Sequence, residues 1–397
     1  MLLKNGDLIL EDRILQNTDL LVRNGKIADI GHLQSAVSEA DEDLVIDCTG
    51  QYISPGYIDI HVHGGAGGRF ERGATEIRQV LDAHTKHGTT TMFPSLSTAA
   101  FEDTLNAIDN LADYMAQPQE FCNLAGIHLE GPYLNPDFKG AMRAEHIRRP
   151  IPIEYKRLLQ NPALKRISYA PELDDNFEMT KYIADRGIIG AVAHSGAKIE
   201  VLREALTMGV SLITHLYSCM PVVYRENAFR VIGIPEAAYL IDEFNVEVIA
   251  DAKHLPPDLL RLIFKIKGAD STILVTDGTR AAAIGEDAPN FEAVVKAANV
   301  IVKDGVAYTP DMQAFAGSIT SSDRLVKNMV TLANASLPSA VKMVTATPAR
   351  VMGIGARKGR LQKGMDADIL TLNRDLDVNN VIVMGKRLYA NGNPLQK

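Results

Sequence analysis

Positive charge is what this chain lacks most visibly. Its 397 residues carry 41 Lys and Arg against 49 Asp and Glu, a formal net charge of −8. A nucleic-acid surface normally shows clustered basic side chains, so no such partner is expected. A small anionic ligand stays open, because a few local cations suffice for one. Cysteine is scarce as well: Cys48, Cys122 and Cys219 are three in all, scattered and odd in number, and give no disulfide framework. No apolar run approaches the ~20 residues that a membrane-spanning helix needs. The opening "MLLKNGDLILEDR" lacks a basic segment followed by an apolar core, so it does not read as a signal peptide. Low-complexity segments and short-period repeats are missing too. What is present is ordinary globular composition, 46% hydrophobic and 23% charged. The length suits one large domain with a smaller one, or two medium ones. The expectation is a cytoplasmic protein of enzyme size, with no membrane contact.

Both ends of the chain read as β. The first fifty residues hold "DLIL", "DLLVRNG" and "KIADIG", broken by Asn-Gly turn signals. The last forty hold "ADILTLN" and "VNNVIVMGKRLYANG". Neither segment has enough apolar residues to bury much alone. The termini are therefore expected to meet in one small β-sandwich-like domain, residues 1–54 plus 356–397. Residues 55–355 behave differently, alternating β-rich runs with helix-like stretches as a parallel α/β fold does. Eight runs stand out: "YIDIHVH", "TTTMFPSL", "NLAGIHLE", "RISYAPE", "GIIGAVAHS", "VSLITHLYS", "VEVIADAKH" and "STILVTD". Amphipathic candidates such as "ATEIRQVLDAHTKHG" lie between them, and "KIEVLREALTMG" closes on a helix-ending Gly209. The count predicts a (β/α)8 TIM-like barrel; a doubly wound sheet is the alternative, since strand number alone does not establish closure.

Polar side chains in these runs gather at the C-terminal ends. His61 and His63 end the first, Glu130 the third, His194 the fifth, His215 the sixth, His254 the seventh and Asp277 the eighth. In a (β/α)8 barrel those ends build the active-site face, so all would converge on one mouth. Each has a plainer reading. A single strand histidine is more often a satisfied core group, Asp277 could cap the turn after it, and Glu130 could pair with a barrel Lys or Arg. "HVH", however, puts His61 and His63 on one side of a strand, where both can reach one ion. That so many coincidences fall on one face favours metal binding for the set. His84 and His87 are expected to face solvent or the C-terminus of the first helix. His32 and His146 belong to no constellation, and His128 would flank Glu130 without an assigned role.

Four imidazoles and two carboxylates suit zinc first, with iron, manganese or cobalt as alternatives, and the lack of a Cys ligand argues against a closed structural site. Such a set is rich enough for two ions. A divalent ion acidifies water, and a neighbouring carboxylate can carry the proton to a leaving group. The residues therefore point to a metal-dependent hydrolase of a C–N or similar bond.

At this point the chain resembles the amidohydrolase superfamily, and more narrowly the N-acetylglucosamine-6-phosphate deacetylase family. The carrying segments are "PGYIDIHVHG", "HLEGPYLN", "APE", "AHSGA", "THLYSCM", "IADAKH", "LVTDG" and "FAGS", with "TATPARVMGI" and "KGRLQKGMDADI" near the end. They cover almost the whole chain in the family's order. The resemblance implies that Glu130, His194 and His215 hold one metal, with His61 and His63 completing a second position bridged by Glu130. It makes Asp277 the general acid/base, in reach of the second ion. It implies an amino-sugar phosphate as substrate, contacted by Asp251, His254 and, across a homodimer interface, Arg225. Phe315, Ala316 and Gly317 would line the sugar site with Ala141, Met142, Ser218 and Cys219. Three segments depart from the family: Met142 stands for its His or Gln, Ser218-Cys219 for its Asn-Ala, and "YRENA" is slightly shorter. All three fall on substrate contacts. Two other readings remain: an amidohydrolase acting on another N-acyl or cyclic amide without a phosphate, and, ranked last, a non-catalytic barrel scaffold.

Overall fold

The computed structural model of the chain describes residues 1–33, 44–285, 287–391 and 393–395. Five strands open it: β1 (Leu2–Ile9), β2 (Ile14–Arg23), β3 (Lys26–Gly31), β4 (Val45–Asp47) and β5 (Tyr52–Pro55). Asn24 and Gly25, both at positive φ, make the tight turn between β2 and β3. Eight parallel strands follow: β6 (Tyr57–Val62), β7 (Thr89–Leu96), β8 (Ile127–Glu130), β9 (Leu164–Tyr169), β10 (Ile189–Val192), β11 (Leu212–Ile213), β12 (Asn245–Val248) and β13 (Thr272–Leu274). The chain ends in β14 (Ile369–Leu372), β15 (Val378–Val383) and β16 (Lys386–Ala390).

The two ends join in one sheet. β5 pairs antiparallel with β14, Tyr52 opposite Leu372 and Pro55 opposite Ile369. Leu3, Leu8, Leu20, Ile53, Ile369 and Ile382 pack into one apolar cluster on it. A single sheet whose core draws on both termini cannot form from either alone, as the composition implied. Gly56 then carries the chain from β5 into β6. A Cβ there would lie 2.1 Å from Thr90 Oγ1, so only glycine permits this approach.

β6 to β13 run in sequence order around a nearly closed barrel, each paired in parallel with the next. The doubly wound alternative is thereby set aside. Closure comes from β6 meeting the segment after β13: Asp277 N donates to His61 O (2.8 Å) and His63 N to Gly278 O (2.9 Å). Every residue of β6 and β7 is buried, as expected where helices cover one face and a filled interior the other. Helix α1 (Ala74–Lys86) shows the outer layer's logic, burying Ile77, Val80 and Leu81 on one stripe. Helix α2 (Ile199–Thr207) does end at Gly209, φ +91°, whose N–H bonds to Leu206 O. The "NVIVKDGVAYT" stretch forms the hairpin Ile301–Lys303 and Val306–Tyr308 about Asp304-Gly305.

Candidate active site

Glu130, the last residue of β8, lies where the strand ends converge. Its Oε1 is 3.1 Å from His215 Nε2, 3.4 Å from His194 Nε2 and 3.6 Å from His61 Nε2. Its Oε2 is 3.1 Å from His63 Nε2. The ligand atoms fall into two buried triads that share this carboxylate, His61–His63–Glu130 and Glu130–His194–His215. Asp277 faces the first triad, its Oδ1 3.6 Å from His61 Nε2 and 3.5 Å from His63 Nε2. His194, His215 and Asp277 all adopt positive φ (44°, 29° and 46°). Non-glycine residues seldom do so, and such strain is characteristic of side chains committed to a site.

The donor chemistry fits a divalent ion. His61 and His63 point Nε2 atoms at one another across 3.1 Å, a contact that suits two ligands of one centre. The other ring nitrogens are taken: His61 Nδ1 meets Glu247 Oε2 (3.1 Å), His63 Nδ1 meets Ser95 O (3.1 Å) and Ser97 Oγ (3.0 Å), and His194 Nδ1 meets Phe138 O (2.8 Å). Donation from Nδ1 fixes the tautomer that leaves Nε2 free as a ligand, the usual device of metal-binding histidines. Among the described residues, His215 Nδ1 is buried without a partner.

Charge in this cluster is mutually supported. Burial works to raise the Glu130 carboxyl, but His61, His194 and His215 outweigh it and hold it well below the usual range. Burial likewise works to lower the His61 imidazole, and Glu130, Asp277 and Glu247 hold it up at about 10. His194 is raised well above its ordinary value, against burial, by Cys219 and Glu130. Without an ion the floor is thus an array in which imidazolium and carboxylate stabilise each other, and a bound cation would take the place of the protons on Nε2.

Two residues of this floor escape sequence reading. Glu247 on β12 and Arg166 on β9 are both fully buried inside the barrel. They form an ion pair, and Arg166 also reaches Ile60 O (3.1 Å), Ser168 Oγ (3.2 Å) and Thr214 Oγ1 (3.1 Å). Glu247 Oε2 receives both His61 Nδ1 and the His215 backbone N–H (3.3 Å), so one oxygen touches a member of each triad. Burial would raise the Glu247 carboxyl, but Arg166 and His61 bring it down to about 2. A charged residue inside each of the runs "RISYAPE" and "VEVIADAKH" was the available signal, since buried parallel strands are otherwise nearly continuous apolar sequence. His128 sits between Ser95 Oγ and Ser168 Oγ (2.8 Å each), its ring edge-on to His61. Burial and the nearby Arg166 hold it neutral, well below its ordinary pKa.

Above the floor opens a cavity of about 540 Å³. Ala141, Met142, Ser218, Cys219, His254, Phe315, Ala316 and Gly317 all line it, as do His63, Glu130, His194, His215 and Asp277. Gly317, φ +64°, lets the chain press on the wall that carries Asp277, since a Cβ there would lie 2.6 Å from Asp277 O. Gly140, φ +52°, does the same beside Cys219, whose Sγ would be 2.4 Å from a Cβ.

Other residues differ in position from what the sequence suggested. His254 does not end β12; that strand stops at Val248, and His254 belongs to the loop beyond it. Asp251 stands behind it, Oδ2 on His254 Nδ1 at 2.7 Å, and Phe315 packs against its ring. Arg225 is exposed on the hairpin Tyr224–Glu226 and Phe229–Val231, outside the cavity. His84 is not at the solvent. It continues the buried stripe of Ile77, Val80 and Leu81 and places Nε2 2.9 Å from Gly64 O; burial lowers its pKa to about 4. His87 pairs with Asp323 at 3.1 Å. Three arginines that the sequence did not single out, Arg69, Arg143 and Arg280, also line the cavity.

Comparison with known proteins agrees with this geometry. The family model described as the amidohydrolase family matches residues 52–388. N-acetylglucosamine-6-phosphate deacetylase of Bacillus subtilis is 29% identical, over 97% of this chain and 96% of its own. The crystal structure of N-acetylglucosamine-6-phosphate deacetylase from Pasteurella multocida superposes with a TM-score of 0.87 at 27% identity, covering 98% of this chain and 99% of that one. A mutant of the Mycobacterium smegmatis enzyme, in complex with N-acetyl-D-glucosamine-6-phosphate, gives 0.85 at 26% identity, with coverage of 98% and 99%.

Proposed function

The chain belongs to the amidohydrolase family, and from that membership we propose that it removes the acetyl group of N-acetylglucosamine 6-phosphate, or a close N-acetyl amino-sugar phosphate, giving the amino-sugar phosphate and acetate. The observation that carries this reading is the pair of triads sharing Glu130, with Asp277 facing them, at the floor of a sugar-sized cavity. The relatives named as deacetylases match nearly end to end, which supports the same substrate class. One or two divalent ions would be held, by Glu130, His194 and His215 at one position and by His61 and His63 with bridging Glu130 at the other. Nitrogen and oxygen donors suit zinc first, then iron, manganese or cobalt. Such an ion supplies Lewis acidity at the amide carbonyl and acidifies water near it.

Asp277 is the proton carrier in this reading. Its carboxylate takes a proton as water adds to the amide carbon, then delivers it to the amine nitrogen as the C–N bond breaks. Its Oδ1 is near both His61 and His63, and its side chain is 14% exposed, enough to meet a substrate from the cavity side. His254, fixed by Asp251, and the Phe315–Gly317 backbone would face the sugar. Ala141, Met142, Ser218 and Cys219 would line the opposite wall. The exposed hairpin of Arg225 is suited to serve the cavity of a second copy, and a cytoplasmic homodimer completes the proposal.

Met142 and Cys219 favour a second reading in which the acyl group, or the sugar, differs, because two sulfur side chains on this wall offer little hydrogen bonding. Acetate release from phosphorylated and unphosphorylated N-acetylhexosamines, with other acylated amino sugars alongside, tests both. Turnover confined to phosphorylated N-acetyl sugars supports the first reading. Comparable turnover with and without the phosphate, or none on any N-acetyl sugar, overturns it.

A further inference from the structure

One buried histidine takes no part in the array on the floor. His84 lies on α1, wholly buried, and its Nε2 meets Gly64 O at 2.9 Å. Gly64 O can only accept, so the neutral ring carries its proton on Nε2 and its lone pair on Nδ1. Among the described residues that Nδ1 is buried without a partner. A leucine in this slot would extend the stripe of Ile77, Val80 and Leu81 and strand no such atom. The histidine therefore costs stability. What it supplies in return is one hydrogen bond, to the carbonyl next to His63.

That carbonyl belongs to a seam that continues past the strands. Beyond β6 and β13 the two loops stay zipped together. His63 N and Gly64 N both donate to Gly278 O (2.9 Å each), Gly67 N to Arg280 O (2.7 Å) and Ala66 N to Ala282 O (2.8 Å). Arg280 returns its Nε to Gly67 O at 2.7 Å. His63 and Asp277 stand at the start of this zip, one on each loop, with Nε2 and Oδ1 3.5 Å apart. The His84 imidazole packs against both loops. A Cβ on Gly65 would fall 2.7 Å from its Nε2, and one on Gly278 would fall 3.4 Å from its Cε1. Helix α1 thus offers a fixed base, and His84 ties the zip down to it by a directed bond.

We infer that His84 is a positioning residue: by fastening Gly64 it sets where His63 and Asp277 stand, and so tunes the ion position formed by His61, His63 and Glu130. This rests on the proposed metal-dependent reading of the site and deepens it. The role asked of His84 is a donated hydrogen bond, with no change of charge and no contact with substrate. Partners that orient a metal ligand through one further bond act on affinity and geometry together, and a displaced reacting group loses rate steeply.

Cobalt(II) titration of the metal-free protein, followed by visible absorption and calorimetry, tests this for wild type, His84→Leu and His84→Gln. His63→Gln identifies the binding step that belongs to the His61–His63 position. His84→Leu should weaken that step by about tenfold and leave the step at Glu130, His194 and His215 at wild-type affinity. It should also lower kcat by about 10- to 100-fold with KM kept. His84→Gln, whose amide can present a donor near the place of Nε2, should restore most of both losses. Should His84→Leu fail to fold, Arg280→Met, at a side chain 23% exposed, loosens the same zip by its Nε bond and should weaken the same step alone. Equal weakening of both steps, a raised KM with kcat kept, no rescue by His84→Gln, or a single ion in wild type would each overturn the role. So would unchanged binding in His84→Leu or, where that variant does not fold, in Arg280→Met. The metal steps are read without substrate, so a wild type that releases no acetate would sink the substrate assignment and leave this inference standing.

Discussion

The floor and the rim of the cavity are built on opposite principles. On the floor, His61, His63, His194 and Glu130 are nearly or wholly buried, and each imidazole has its second nitrogen engaged by a named partner. On the rim, Ala141 and Met142 are partly or largely exposed and lie on a loop. A buried array of charges tolerates few changes, because removing one member strands another in low dielectric. A loop residue at a cavity mouth has no such neighbour to betray. Met142 lies on this rim, whereas Cys219 reaches down from the wall to His194 of the floor.

The comparison breaks first at Asp277. Asp277→Asn keeps the shape and removes the proposed proton carrier, so kcat should fall by about 10²–10⁴-fold while the metal content by elemental analysis stays at the wild-type level. Activity near wild type would place the proton transfer elsewhere. Next comes Glu247→Gln, which leaves the Arg166 cation buried with a neutral partner. About 3–5 kcal/mol of stability is expected to be lost, read by urea unfolding of the metal-free chain. The sign against pH follows from the lowered Glu247 carboxyl. Its contribution is complete above pH 4.5, the ordinary value, and fades as pH falls toward about 2. The difference between wild type and Glu247→Gln should therefore be full at pH 7 and shrink across that window. A constant difference would show that the pair is not ionised. Metal titration sharpens the same point, since His61 loses its orienting carboxylate and affinity should drop by about 10–100-fold.

A smaller effect is expected on the rim. Met142→Gln places an amide where the wall now presents a thioether, and should change relative kcat/KM between acetyl and longer acyl groups by about 10-fold, with thermal stability unaltered. A large loss of stability in this variant would mean that the loop belongs to the core and that the division between floor and rim is wrong.

The same division governs what could be read without coordinates. Eight β-rich runs alternating with amphipathic stretches are a local signal, and the barrel followed from them. The residues at strand ends could be collected because a barrel sends all such ends to one face. Glu247 and Arg166 interrupt apolar strands and could have been flagged, but only the closed barrel reveals that they meet behind His61. Arg69 and Arg280 gave no signal: they are distant in sequence, and only the closed barrel brings both to the cavity wall. The misplacement of His84 has a different origin. A helix C-terminus favours a solvent-facing cation, but the spacing of seven residues from Ile77 puts His84 on the buried stripe.

The smallest effect should arise far from the cavity, where the two chain ends are welded together. Asp366 is buried beneath Lys26, Arg357 and Lys358, with Arg357 Nη2 at 3.0 Å and Lys358 Nζ at 3.2 Å. Burial alone would raise its carboxyl, yet these cations hold it below the ordinary value of 3.8. Its stabilisation is thus present above pH 3.8 and lost as pH falls through the lowered folded value. Lys26 is 42% exposed, so solvent screens its share, and two cations remain without it. Lys26→Met should cost less than about 1 kcal/mol at pH 7, and less still at pH 3, in urea unfolding monitored by tyrosine fluorescence. Kinetics at the cavity should be unchanged. A loss of several kcal/mol, or a fall in kcat, would mean that the small sheet and the active-site floor are energetically one unit and that burial of charge, rather than closeness to the metal ligands, sets how much a single residue matters.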